Sequence, residues 1–352
     1  LLLWFLVGIA PSLITGPTAN TTRNVGAYSA TFLLPAVGFW HSARYFQQRL
    51  RPSRQAKIRP VLGGLALLWL LLVLVGTVRD YFLVWGQSPE VRAAYQSTLI
   101  AGLESLEDEP VVNTLVISSV YPGPAHNPSI ALVTTGTDGN RRWVDARLAL
   151  VLPADAHGQL LALAATPLHP QFTQWVQPGK TVQLRPDDLN PGFTLYSFDL
   201  PADWLVPLEP SVPYGQGAPA IELVSARWLG ETARSGDVVE LLTVWRVLDP
   251  AGVGPVVPPS FTTDVVLFTH VLRPDGTILT QQDRLDAPSW DWQAGDYVVQ
   301  IHQMTVPPDA PAGSYPAVVG IYDRASGDRL PLWPVEVHQG ETRASIPPLV
   351  VE

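Results

Sequence analysis

The chain has 352 residues, 47% of them hydrophobic and 15% charged, with no cysteine and a net charge of −9 at pH 7. A charged fraction well below the ~25% of ordinary soluble chains argues against a disordered protein. The missing cysteines exclude disulfide scaffolds and thiolate metal sites, and the acidic balance argues against a nucleic-acid binder.

Charge divides unevenly along the chain. Residues 1–80 hold eight basic side chains and one acid, Asp80, whereas the remainder is strongly acidic. Two parts with different solvents are therefore expected. The chain begins Leu-Leu-Leu-Trp and its only methionine is Met304, so it reads as a piece entered within a membrane helix.

Leu1–Ala10 is apolar but too short to span. Residues 24–43 carry no charge and are expected to span when packed among other helices, despite Pro35. Residues 60–78, between Arg59 and Arg79, are uncharged and rich in Leu and Val. Nineteen helical residues reach ~28 Å, close to a hydrocarbon core of ~30 Å. Between the two spans, a basic loop over 44–59 holds Arg44, Arg49, Arg51, Arg54, Lys57 and Arg59 with no acid. The positive-inside rule places such a loop in the cytoplasm and everything after Arg79 outside. The expectation is a multi-pass protein of the cell membrane with a large extracytoplasmic C-terminal region. Tyr81, Phe82 and Trp85 follow the last span as membrane-interface anchors.

Ser88 and Pro89 offer a helix start, as N-cap and first helical residue. From Glu90 to Leu106 apolar residues recur at helical spacing. Short apolar strands are expected over 111–120, 130–134, 143–151 and 160–165, which with the helix make a small α/β domain over 89–200. Residues 201–219 form a Pro-rich linker, with Pro201, Pro207, Pro210, Pro213 and Pro219. From 220 to 352 only strands are expected, at 221–228, 238–247, 264–272, 297–306 and 315–322. The Pro274-Asp275-Gly276 turn marks a hairpin. Regular short strands with such turns predict a β-sandwich. The fold class expected is thus a multi-domain membrane protein: transmembrane helices, a small α/β unit, then an all-β sandwich.

Chemistry-bearing motifs are few. The seven histidines are scattered without ligand spacing, so no metal site is expected. His270 and His302 fall in predicted strands and read as packing or surface residues. No phosphate loop or nucleophile elbow occurs, and no cofactor is identifiable. Residues 1–79 lack Asp and Glu, so no catalytic acid is assigned there. Arg23, the one charge of an outer loop over 11–27, is suited to a lipid-linked phosphate. Trp290 and Trp292 flank Asp291 before a turn; as a pair they could stack on sugar rings, although a core plug at a strand end is the simpler reading.

The order of these features resembles the C-terminal end of bacterial GT-C glycosyltransferases of the dolichyl-phosphate-mannose–protein mannosyltransferase-like group. The residues carrying the resemblance are Pro17 with Arg23-Asn24-Val25-Gly26-Ala27, Tyr81-Phe82 with Trp85, Pro89-Glu90-Val91 with Tyr95, and Arg142-Trp143-Val144-Asp145-Ala146-Arg147. Trp292, Gly295, Asp296 and the 320–331 segment resemble a domain often appended there. The resemblance implies sugar transfer from a polyprenyl-phosphate donor on the outer membrane face, with Arg23 touching the donor phosphate. The family's catalytic acid lies in a first outer loop that this chain does not contain, so the chain alone is expected to be inactive. Two other classes remain open. One is a non-catalytic, membrane-anchored β-sandwich that binds a glycan or a partner. The other is an assembly subunit of a polysaccharide export complex.

Overall fold

The computed structural model of the chain describes residues 2–14, 25–49, 52–106, 114–119, 130, 134, 140–154, 157–198, 200, 204–254 and 265–352. These fall into two compact units, Leu1–Gly86 and Gln87–Glu352.

The first unit is helical: α1 (Leu2–Ile14), α2 (Val25–Gln48) and α3 (Pro52–Val78), the last running into a π-helical segment over Arg79–Trp85. Here the structure corrects the expected fold class. Among the described residues one helix is long and apolar enough to cross a membrane: Pro60–Trp85, 26 residues, with a mean hydropathy of 2.6 over its best window. The expected span over 24–43 forms α2, but Ser29, Thr31, Pro35, His41 and Arg44 dilute its apolar character. The expected loop over 44–59 is not one long connection either, because α2 continues to Gln48 and α3 starts at Pro52. Among the described residues there is thus one candidate span where two were expected.

The second unit opens as expected at Ser88, whose Oγ accepts from the Val91 N–H at 3.4 Å with Pro89 in the first helical position. The single helix expected over 90–106 is two, α4 (Pro89–Ala94) and α5 (Ser97–Glu104). Gln96 takes a left-handed conformation (φ 55°) between them and ends the first.

Three sheets follow. The first is ordered β2-β1-β4-β6-β5, from β1 (Leu115–Ser118), β2 (Arg141–Val144), β4 (Gln159–Leu163), β5 (Val176–Gln183) and β6 (Gly192–Phe198). β1 pairs in parallel with β2 and β4, and the rest is antiparallel. Leu99 and Leu103 of α5 close a small core with Ile117, Trp143, Leu161 and Phe193. The second sheet runs β3-β12-β9-β8-β7, from β3 (Ala149–Leu152), β7 (Val212–Tyr214), β8 (Ile221–Trp228), β9 (Val238–Val247) and β12 (Tyr297–Thr305). The third is β11-β10-β13-β14, from β10 (Val265–Leu272), β11 (Ile278–Arg284), β13 (Gly313–Asp323) and β14 (Ala344–Val351).

The second and third sheets make a β-sandwich around one core. Trp245, Leu267, Val271, Val299, Tyr315 and Ile321 all lie in it. Tyr214 ties its layers: its hydroxyl donates to the Val319 carbonyl at 2.9 Å and accepts from the Ala344 N–H at 3.0 Å. The β10–β11 hairpin closes at Gly276 (φ 83°), with the Asp275 carboxylate accepting from the Thr277 N–H at 2.9 Å.

The expected separation of an α/β domain from the sandwich also needs correction. The strand expected over 143–151 is two strands in two sheets. After β2 the chain turns at Asp145, whose carbonyl accepts from Leu148 and Ala149 at 2.9 Å. It then pairs as β3 with β12 of the sandwich. The stretch expected as a Pro-rich linker likewise contributes β7 and the fully buried Tyr214. One continuous core results because the four buried apolar residues of β3 and Tyr214 of β7 pack into the sandwich core. The strand expected over 130–134 lies outside the described residues, apart from its two end residues.

Candidate functional site

The residues singled out in the sequence do not come together. Arg23 lies outside the described residues. Tyr81, Phe82 and Trp85 are exposed on the π-helical segment, with Tyr81 and Trp85 stacked at 4.9 Å. Trp290 is half-buried in the short 3-10 turn Ser289–Asp291, whereas Trp292 is only 4% exposed and belongs to the sandwich core. The Trp292 ring thus presents no face to a ligand. His302 is fully buried between sheets, and His270 lies 3.6 Å from Asp283. Among the described residues no cluster of His, Asp and Glu is placed to hold a metal ion.

A different aromatic group lines a cleft. The 3-10 turn Pro170–Trp175, capped by the His169 ring accepting from the Gln171 N–H at 3.2 Å, lies beside the face of the sandwich formed by β8 and β9. The segment 204–206 lines the same cleft. Trp175 and Trp204 meet edge to face, with ring centres 5.5 Å apart and planes crossed at 81°. Trp204 in turn meets Tyr297 at 5.3 Å and 89°, and Phe172 stacks on Trp175 at 5.9 Å. The cleft has a volume of ≈ 370 Å³; Gln174, Ser225, Arg227, Leu242 and Val244 also line it.

Sheet geometry supplies the polar edge. A β-bulge between Leu223 and Ser225 shifts the register of β8 so that Ser225 faces Val244 and Arg227 faces Leu242. Leu242 and Val244 are buried and form an apolar base. Ser225 is 5% exposed and lines the cleft. The acids of β8 and β9 are engaged. Glu240 accepts from Gln303 Nε2 at 2.8 Å and lies 3.5 Å from His169, while Glu222 faces Arg246 at 3.4 Å and accepts from Ser211 at 3.1 Å. The cleft is of the kind that takes small ligands: aromatic walls, an apolar base and a few polar groups at the edge.

A second, smaller cavity of ≈ 170 Å³ lies where α4 and α5 meet the first sheet. Arg92 closes it through a two-pronged ion pair with Asp188, Nε to Oδ2 at 2.8 Å and to Oδ1 at 3.0 Å. That pair holds the Asp188 carboxyl below the usual range, chiefly through the hydrogen bond from Arg92. With both charges satisfied by each other, the pair reads as a brace.

Sequence reading passed over Trp175 and Trp204. Trp204 sits in a stretch read as a linker, and a bulky indole amid prolines was the available signal, since a free linker gains nothing from one.

The sequence matches no protein-family model and no curated protein. Among solved structures, the C-terminal domain of Wzt is 16% identical over 42% of this chain and 80% of its own, at a TM-score of 0.27. A Niemann-Pick type C2 protein from the Japanese carpenter ant is 7% identical over 40% of this chain and 99% of its own, at 0.23. A calcium-binding mutant of Bacteroides uniformis beta-glucuronidase 2 is 10% identical over 45% of this chain and 16% of its own, at 0.23. Scores this low say nothing of what the cleft holds.

Proposed function

We propose that the Gln87–Glu352 unit is a non-catalytic glycan-binding module, and that Pro60–Trp85 tethers it to a bilayer as a single span. The observation that carries the reading is the half-buried Trp204 ring, backed edge to face by the buried Trp175, beside an apolar base with Ser225, Gln174 and Arg227 at the edge. A sugar ring has an apolar face and a polar rim, and such a cleft offers a surface for each. For the tether, 26 helical residues reach ~39 Å, and Tyr81, Phe82 and Trp85 at the end suit a membrane interface. Sugar transfer from a polyprenyl-phosphate donor rests on the sequence resemblance alone; the cleft supports binding.

The test is an array of neutral and acidic oligosaccharides probed with the full chain, followed by titration read through tryptophan fluorescence. Trp204→Ala is expected to weaken binding about tenfold, the loss of one aromatic contact of ~1.5 kcal/mol. Trp204→Phe keeps a ring and is expected to retain most of the affinity, which separates lost stacking from lost folding. Binding that is untouched by Trp204→Ala in a folded protein, or an array with no hit, overturns the reading.

A further inference from the structure

We infer that the ligand of this cleft is an acidic glycan and that Arg227 pairs with its carboxylate. The inference rests on the glycan-binding reading and narrows its substrate class.

Three observations lead to it. First, Arg227 is exposed on the cleft edge and, among the described residues, makes no hydrogen bond or ion pair. Second, the acids that could neutralise it on the same sheet face are already taken: Glu240 by Gln303 and His169, Glu222 by Arg246 and Ser211. Among the described residues that line the cleft, Arg227 is the one charged side chain. Third, Ser225 lies two residues away on the same strand, 5% exposed, and lines the cleft.

The chemistry follows from the shape of the groups. A guanidinium presents parallel N–H donors that match a carboxylate two-pronged, and it does so beside an aromatic wall at little cost in hydration. Ser225 supplies one more donor or acceptor for a ring hydroxyl. A uronic acid unit has all three features at once: an apolar ring face, hydroxyls and one carboxylate. A neutral sugar leaves Arg227 with water alone. The bulge in β8 is the local device that places these side chains, because it sets Ser225 and Arg227 opposite the apolar Val244 and Leu242.

The experiment uses matched pairs on the full chain: a β-1,4-linked tetraglucuronate and its carboxyl-reduced form, cellotetraose, alongside other uronate-bearing array members and their reduced forms. The acidic member of a binding pair is expected to bind about tenfold more tightly, the size of one charge-assisted contact. Added salt is expected to shrink that margin. Arg227→Gln is expected to bring the acidic member's affinity down to that of the neutral member, so that the preference is lost, whereas Trp204→Ala weakens both members and keeps the preference. If both members bind alike and Arg227→Gln changes neither, the acidic-glycan inference falls and the glycan reading stands. If no member of any pair binds, both fall. A tetraglutamate peptide that binds as tightly as the uronates also overturns the inference, since charge alone then suffices.

Discussion

Arg142→Met is expected to destabilise the Gln87–Glu352 unit by about 3–5 kcal/mol, the cost of leaving one buried charge without its partner. Arg142 and Asp296 are 2% and 1% exposed. The guanidinium donates from Nε to Oδ2 at 2.5 Å and from Nη2 to Oδ1 at 3.2 Å. Its third nitrogen is satisfied by Asn140 Oδ1 at 2.8 Å and the Arg141 carbonyl at 3.0 Å, and Asp296 accepts from the Gln293 N–H at 2.8 Å. The pair joins the parallel edge of the first sheet to the turn entering β12, 154 residues away. Removing Arg142 strands a carboxylate in the interior, where desolvation is most costly. The double variant Arg142→Met with Asp296→Leu removes both charges and is expected to recover much of the loss. Chemical denaturation of the three proteins checks this. Equal stability of wild type and Arg142→Met, or a double variant no better than the single one, would show that the pair is not a buried brace.

The second large effect is a pH dependence set by His302. The side chain is fully buried, with Nε2 3.2 Å from Thr243 Oγ1. That hydroxyl also accepts from Trp245 Nε1 at 3.0 Å. Nδ1 is buried with no partner, so no acceptor waits for a second proton. Burial, and then the charge of Arg284, lower the pKa from 6.5 to about 3. The unfolded chain takes up a proton near 6.5, but the folded chain does so only near 3. Stability supplied by the neutral ring is therefore complete above 6.5 and declines as pH falls through that window, by ~1.4 kcal/mol per pH unit. His302→Gln has no proton to gain and is expected to lose this slope. Denaturation midpoints of both proteins at pH 7, 5.5 and 4.5 give the comparison, which also subtracts the carboxylates common to both. Parallel profiles would mean that His302 is hydrated or partnered when charged.

Local features of the chain were legible where one stretch of residues carries its own instruction. Short apolar runs separated by the Ser235-Gly236-Asp237 turn placed β8 at Ile221–Trp228 and β9 at Val238–Val247, because turn residues punctuate strands locally. Asp275-Gly276 marked a turn because glycine tolerates the positive φ that closes it. Ser88-Pro89 marked a helix start because an N-cap needs only a side-chain oxygen and a residue with no N–H to satisfy. The apolar run ending near Trp85 is likewise a matter of composition.

What the tertiary structure alone decided concerns residues far apart in the chain. The residues of 143–151 read as one strand, and only the meeting of β3 with β12 shows that the chain passes there from one sheet to another. Of the pair read as a core plug or a sugar platform, Trp292 is settled as core only once the sandwich closes over it, while Trp204, set in an apparent linker, became a wall of the cleft. Arg227 reads as one more surface charge until Glu222 and Glu240 are seen to be engaged elsewhere. The physical reason is common to these cases. Periodicity and turn chemistry act over a few residues and are written locally, whereas burial, charge compensation and the shape of a cleft are set by which distant segments share the space.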